Sequence, residues 1–193
     1  SGNWVVREAC AQAAAWGRAG DAPPIAVRLN LSKPQLAEVG LIAAFEAAIA
    51  ESGVDPSVLC VEIAEAALIR PSATVSNNLT QLRAMGVKLA IDNFGTGYAA
   101  LGYLRERPVD MVKIDRSFIR DVDVSDYARR LVAGITALAQ EMGLVVSAEG
   151  VETAAQAQYL AALGCTSAQG FLYSPAVPGT DMGVLLHRVY PTH

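Results

Sequence analysis

Cysteine is scarce in this chain, with Cys10, Cys60 and Cys165 the only three in 193 residues. Their odd number, wide separation and lack of CxxC spacing exclude a disulfide scaffold and fit a reducing, cytoplasmic setting. Long hydrophobic runs are missing as well. Every apolar stretch is broken by charge or glycine before the roughly 18 residues of a membrane span, and no signal-peptide pattern opens the chain. This segment is therefore expected to make no membrane contact, although a longer parent could be membrane-anchored. Nor is there a block of like charge, because 19 acidic and 15 basic residues are spread along the chain for a net charge of -4, which speaks against binding a DNA or RNA duplex. No linker or low-complexity tract divides the sequence, and 52% apolar residues are enough to bury one sizeable core.

What is present is a regular alternation. An amphipathic helix over Trp4 to Trp16 is expected from Val5, Ala9, Ala13 and Trp16 at helical spacing. Strand-length apolar runs follow at Ile25 to Leu29, Val58 to Val61, Val87 to Ile91, Pro108 to Lys113, Leu144 to Ala148 and Thr166 to Leu172. Between them the spacing predicts helices over about Gly40 to Glu51, Ala73 to Met85, Ala99 to Arg105, Ser125 to Met142 and Ala154 to Leu163. Several end at glycine, as at Gly53 and Gly143. Alternation of this kind means parallel strands joined by helical crossovers. A doubly wound open sheet is the alternative, but the GxGxxG fingerprint expected after its first strand is absent, which favours a barrel.

Asn30, Glu62, Asp92, Lys113, Glu149 and Gln169 each lie at or just after the C-terminal end of a strand, the end at which parallel barrels build their active sites. Taken singly, such a residue is more often a helix cap or a solvated loop residue. Among them Asn30, Glu62, Asp92 and Glu149 supply three carboxylates and a carboxamide, with no histidine or cysteine, a hard oxygen set suited to Mg²⁺, Mn²⁺ or Ca²⁺. A lysine beside such a set suits an anionic substrate, by holding a nucleophilic water or neutralising a phosphoryl oxygen. Metal-assisted hydrolysis of a phosphate ester follows, while an aldolase or enolase-type barrel remains open on spacing alone.

The local strings are Asn30-Leu31-Ser32, Glu62-Ile63-Ala64-Glu65, Asp92-Asn93-Phe94-Gly95-Thr96-Gly97-Tyr98, Lys113-Ile114-Asp115-Arg116-Ser117-Phe118, Ala148-Glu149-Gly150-Val151-Glu152-Thr153 and Gln169-Gly170. In this order they resemble the EAL family across nearly all of the chain. The resemblance implies a TIM-like (β/α)₈ barrel of which about six βα units are present, binding cyclic di-GMP and, when active, opening it to linear pGpG. It implies metal ligation by Asn30, Glu62, Asp92, Asn93 and Glu149, with Lys113, Glu149 and Gln169 in catalytic roles. Glu65 matches the glutamate that tethers the Asp92 to Tyr98 loop, through which the family couples the site to a dimer interface. Gly95, Thr96 and Gly97 form the substrate loop, where glycine permits a positive φ close to a ligand. A homodimer and fused signalling or sensory domains in the parent are further implications. Asp115, Arg116 and Glu152 match the strings but are explained as well by ion pairs or helix caps. His187 and His193 read as surface residues, Trp4 and Trp16 as core or rim packing, and Cys60 as a small buried hydrophobe.

Two departures stand out. No Glu-Ala-Leu triple occurs in the chain. Because a closed barrel needs about eight strands, residues 1–193 are expected to be an EAL domain without its first strands and that motif. Asn93 also stands where the most typical active members have a second aspartate, which keeps an oxygen donor and removes a charge. Two expectations follow: a weakened phosphodiesterase using Mg²⁺ or Mn²⁺, with Ca²⁺ binding but inhibitory, or a degenerate, inactive domain acting as a cyclic di-GMP receptor or protein-interaction module.

Overall fold

The computed structural model describes residues 2–17, 25–95, 109–182 and 185. In chain order the elements are α1 (Gly2–Gly17), β1 (Val27–Leu31), α2 (Lys33–Leu36), α3 (Leu41–Ser52), β2 (Leu59–Ala64), α4 (Glu65–Ile69), α5 (Ala73–Ala84), β3 (Lys88–Phe94), β4 (Met111–Ile114), α6 (Arg116–Ile119), α7 (Asp126–Glu141), β5 (Val145–Glu149), α8 (Ala154–Ala162) and β6 (Ser167–Gln169). The strands follow the sequential order β1-β2-β3-β4-β5-β6, and β1–β2, β4–β5 and β5–β6 pair in parallel. A doubly wound sheet reverses its strand order at a switch point, whereas sequential order is the wiring of a (β/α) barrel. The fold class is therefore the TIM-like one. The expected helix over Ala99 to Arg105 lies outside the described residues, as do Thr96, Gly97, His187 and His193.

The chain divides into two compact units within β3, the first running up to Ala90 and the second beginning at Ile91. In the first unit α1 packs on α3 and β1. Its buried stripe is Val6, Cys10, Ala13 and Ala14, rotated by one residue from the expected stripe, and Trp4 is 68% exposed rather than packed. Val5, Ala9 and Trp16 lie half-buried at the flank of this stripe. Phe45 of α3 and Leu79 and Leu82 of α5 are fully buried, each worth about 1.5–3 kcal/mol of apolar burial. Five consecutive residues of β2, Leu59 to Ile63, are buried on both faces, as expected of a parallel strand covered by helices, and Cys60 among them is a small apolar filler. Buried Asn78 donates to the carbonyls of Leu36 (2.8 Å) and Glu38 (3.0 Å), tying α5 to the end of α2. The third helix stops at Gly53, whose φ of 68° lets its N–H reach the Ile49 carbonyl at 2.9 Å.

In the second unit, α7 buries Val132, Thr136 and Ala139, spaced i, i+4, i+7, and packs on β5 and α6. Its N-cap Ser125 accepts from Ala128 N–H at 3.3 Å, and Thr153 caps α8 by accepting from Gln156 N–H at 3.1 Å. Asp115 caps α6 by accepting from Ser117 N–H at 2.8 Å, the structural role weighed for it in the sequence. No helix among the described residues is long and apolar enough to cross a membrane.

Candidate metal centre

The first unit holds Asn30 and Glu62, which are registered opposite each other in the parallel pairing of β1 and β2. Asn30 is exposed, while Glu62 is 4% exposed between the buried Val61 and Ile63. Glu62 lies two residues inside β2 rather than at its end, because the strand runs on to Ala64. A buried carboxylate needs a cationic partner. Arg28 meets this need, with Nη1 3.6 Å from Glu62 Oε1. Glu65 opens α4 and is buried.

The second unit holds the other candidate residues. Asp92 and Asn93 lie within β3, which extends to Phe94, three residues beyond the expected end at Ile91. Lys113 in β4 is 3% exposed at its side chain, and its Nζ is 3.2 Å from Asp92 Oδ1 and in direct ion-pair contact with Glu149 Oε1. Gln169 stands opposite Glu149 in the β5–β6 register and is exposed. Three of the expected residues, Asp92, Lys113 and Glu149, are thus joined directly by charge.

The backbone around Asp92 is unusual. Asn93 has φ 55°, the one described non-glycine residue with positive φ, and Gly95 has φ 94°. Asparagine tolerates this left-handed region better than most residues. In that conformation Asn93 Nδ2 donates to Asp92 Oδ2 at 3.1 Å, so both oxygens of Asp92 face protein donors. At Gly95 the expected positive φ is present, and a Cβ would lie 3.2 Å from Phe118 Cε2.

Glu149 is set by the loop that follows it. Gly150, at φ 70°, lies so close to Arg116 that a Cβ would come within 2.4 Å of the Arg116 Cβ. Gly170 is tighter still, since a Cβ there would meet Val151 O at 2.1 Å. Backbone bonds from Val151 N–H to Gln169 O (3.0 Å) and from Leu172 N–H to Val151 O (3.1 Å) close the clamp. Gln156 adds another tie: its Oε1 accepts from Glu152 N–H at 2.8 Å, and its Nε2 donates to Arg120 O at 3.1 Å.

Sequence reasoning passed over Arg28 and Gln156. The signal for Arg28 is its i, i+2 relation to Asn30, which places both on one face of β1. For Gln156 the signal is the capping-box spacing from Thr153.

The chain matches the EAL domain family over residues 2–176. The bifunctional diguanylate cyclase/cyclic di-GMP phosphodiesterase MucR of Pseudomonas aeruginosa is 39% identical over 181 residues, covering 94% of this chain and 26% of MucR. The solved PaMucR phosphodiesterase complex with c-di-GMP aligns at TM-score 0.85 and 39% identity, covering 94% of this chain and 73% of that one. The EAL domain of Mycobacterium smegmatis DcpA aligns at TM-score 0.87 and 40% identity, covering 96% and 83%. A manganese and cyclic di-GMP complex of Klebsiella pneumoniae BlrP1 aligns at TM-score 0.78 and 28% identity, covering 90% and 44%. This chain spans 26% and 31% of the first curated relatives it matches, proteins of Azorhizobium caulinodans and Mycobacterium bovis. Its match over residues 2–176, together with the order of its strands and strand-end residues, makes this chain a member of the EAL domain family.

Proposed function

We propose that the full-length protein containing this chain is a metal-dependent phosphodiesterase that opens cyclic di-GMP to linear pGpG, and that Asn93 slows it. The observation that carries this reading is the buried Lys113 held between the carboxylates of Asp92 and Glu149. Burying the Lys113 ammonium is costly unless it is paired, and a stabilising core would use an apolar residue there instead, so its pairing with the half-buried Asp92 and Glu149 points to chemistry. The activity named for MucR and the manganese complex of BlrP1 support the same reading.

Asn30, Glu62, Asp92, Asn93 and Glu149 would hold Mg²⁺ or Mn²⁺, since every donor among them is oxygen. A bound divalent ion lowers the pKa of a coordinated water and polarises a phosphoryl oxygen. Lys113 Nζ holds the attacking water or balances charge at the phosphorus, Glu149 orients that water, and Gln169 supports the substrate side. Water adds to phosphorus, one P–O ester bond breaks, and the freed ribose oxygen leaves with a proton. Glu65 tethers the loop of Gly95, Thr96 and Gly97 over the substrate. The same reading makes the parent a cytoplasmic-facing homodimer with fused signalling domains, and takes Ca²⁺ to bind without supporting turnover.

A receptor without turnover is the second reading, favoured by the engagement of both Asp92 oxygens by Lys113 and Asn93. The two separate in one experiment: pGpG formation by the full-length protein and its Asn93→Asp variant across a Mg²⁺ and Mn²⁺ titration. Slow product formation that rises in Asn93→Asp supports the enzyme. No product from either protein at saturating metal, with cyclic di-GMP still bound, leaves the receptor.

A further inference from the structure

Arg28 has no part in the chemistry above, yet its guanidinium lies 3.6 Å from a carboxylate assigned to the metal. We infer that Arg28 is a resident counter-ion of Glu62 which a divalent cation must displace, so that it sets how much metal the site needs. The inference rests on the assignment of Glu62 as a ligand, and its first element is burial. Glu62 is 4% exposed in a strand whose neighbours Val61 and Ile63 are fully buried, and an anion there requires a positive charge close by. Arg28 supplies that charge from β1, at 22% side-chain exposure.

The second element is geometry. Arg28 and Asn30 are two residues apart on one strand, and Asn30 is registered opposite Glu62. The guanidinium therefore shares a strand face with one assigned ligand and pairs with another. A guanidinium stays charged at every relevant pH, so it does not leave by deprotonation. A divalent ion arriving at Glu62 meets a fixed positive charge, and either the ion pair opens or two cations share one carboxylate. Both weaken metal binding. In exchange, Glu62 stays compensated when the metal is scarce.

The test is Mn²⁺ titration by calorimetry of the full chain, with thermal melting with and without Mn²⁺, for wild type, Arg28→Gln, Arg28→Lys and Glu62→Gln. Arg28→Gln should bind Mn²⁺ about 10-fold more tightly, the scale on which groups next to a ligand act, and should gain more melting temperature from Mn²⁺ than wild type does. Arg28→Lys, which keeps the charge, should stay near the wild-type affinity, an outcome that a purely structural role for Arg28 does not produce. Glu62→Gln should lose Mn²⁺ affinity and abolish the effect of Arg28→Gln. Equal or weaker Mn²⁺ binding by Arg28→Gln, with Glu62→Gln still impaired, overturns the counter-ion role and leaves the metal site standing. Absence of Mn²⁺ binding in wild type and Arg28→Gln alike overturns both. Should Arg28→Gln fold poorly, the double variant Arg28→Gln/Glu62→Gln should recover melting temperature, because it removes the uncompensated charge; no recovery contradicts the pairing.

Discussion

Asn93 carries the sharpest consequence of a single atom. As an asparagine it is suited to φ 55° and donates Nδ2–H to Asp92 Oδ2 at 3.1 Å. As an aspartate it would keep a tolerated backbone and replace the donor with a second carboxylate. The two anions would repel in the absence of metal and attract it more strongly when it is offered. Asn93→Asp should thus lower the melting temperature without metal, enlarge the shift caused by Mn²⁺, and raise pGpG formation by about 10-fold to 100-fold, measured by calorimetry, melting and product analysis. Lys113→Met keeps the length of the side chain and removes its charge. It should cut turnover by about 100-fold or more while cyclic di-GMP binding falls less, because the substrate also rests on groups outside this cluster. Both residues were legible in the sequence by type and position. The left-handed turn at Asn93 was not, since residue type alone does not announce φ. Burial also raises the thiols of Cys10 and Cys165, in the latter against the opposing effect of a hydrogen bond with Thr136. Both should react with iodoacetamide more slowly than free cysteine near neutral pH, and the rate should climb as pH rises toward the elevated values, because the thiolate is the nucleophile.

At the scale of elements, the loop after β5 is the part on which Glu149 depends. Thr153 accepts from Gln156 N–H at 3.1 Å and donates to Asp123 Oδ2 at 3.2 Å. Thr153→Ala should cost about 1 kcal/mol of stability in urea unfolding. Gly170→Ala should do more harm, because no rotamer change moves the backbone of Val151 out of the way of a new Cβ. The loop must shift, taking Glu149 with it, and both melting temperature and Mn²⁺ affinity should fall. The long helices and the six strands were legible because the helical period of about 3.6 residues, the strand-length apolar runs and the stopping glycines are local properties. The four- and five-residue helices α2, α4 and α6 were not, being too short to show a period. Strand ends were read three residues early at both β2 and β3, since Glu62, Asp92 and Asn93 look like loop residues until the pairing of the strand is known. Arg28 was missed although it shares a strand face with Asn30, because its pairing with Glu62 depends on the register of the neighbouring strand.

For the whole molecule, the sequential strand order explains why residues as distant in sequence as Asp92, Lys113 and Glu149 meet in ion pairs. Parallel strands point their C-terminal ends one way, so a repeated strand-to-polar pattern gathers its polar residues at one end. The family was legible from that repetition and from the strings that accompany it. Catalytic strength was not, because on the proposed reading it depends on how charge is shared, and Lys113 and Arg28 each pair with a carboxylate assigned to the metal. The central claim is that these carboxylates hold a divalent ion that hydrolyses cyclic di-GMP. It is tested most directly by following pGpG formation with Mn²⁺ in the full-length protein and in its Asp92→Ala variant. The account predicts slow formation of pGpG that disappears on chelation and in Asp92→Ala. Equal product from both proteins, or none from wild type at saturating Mn²⁺, would contradict it.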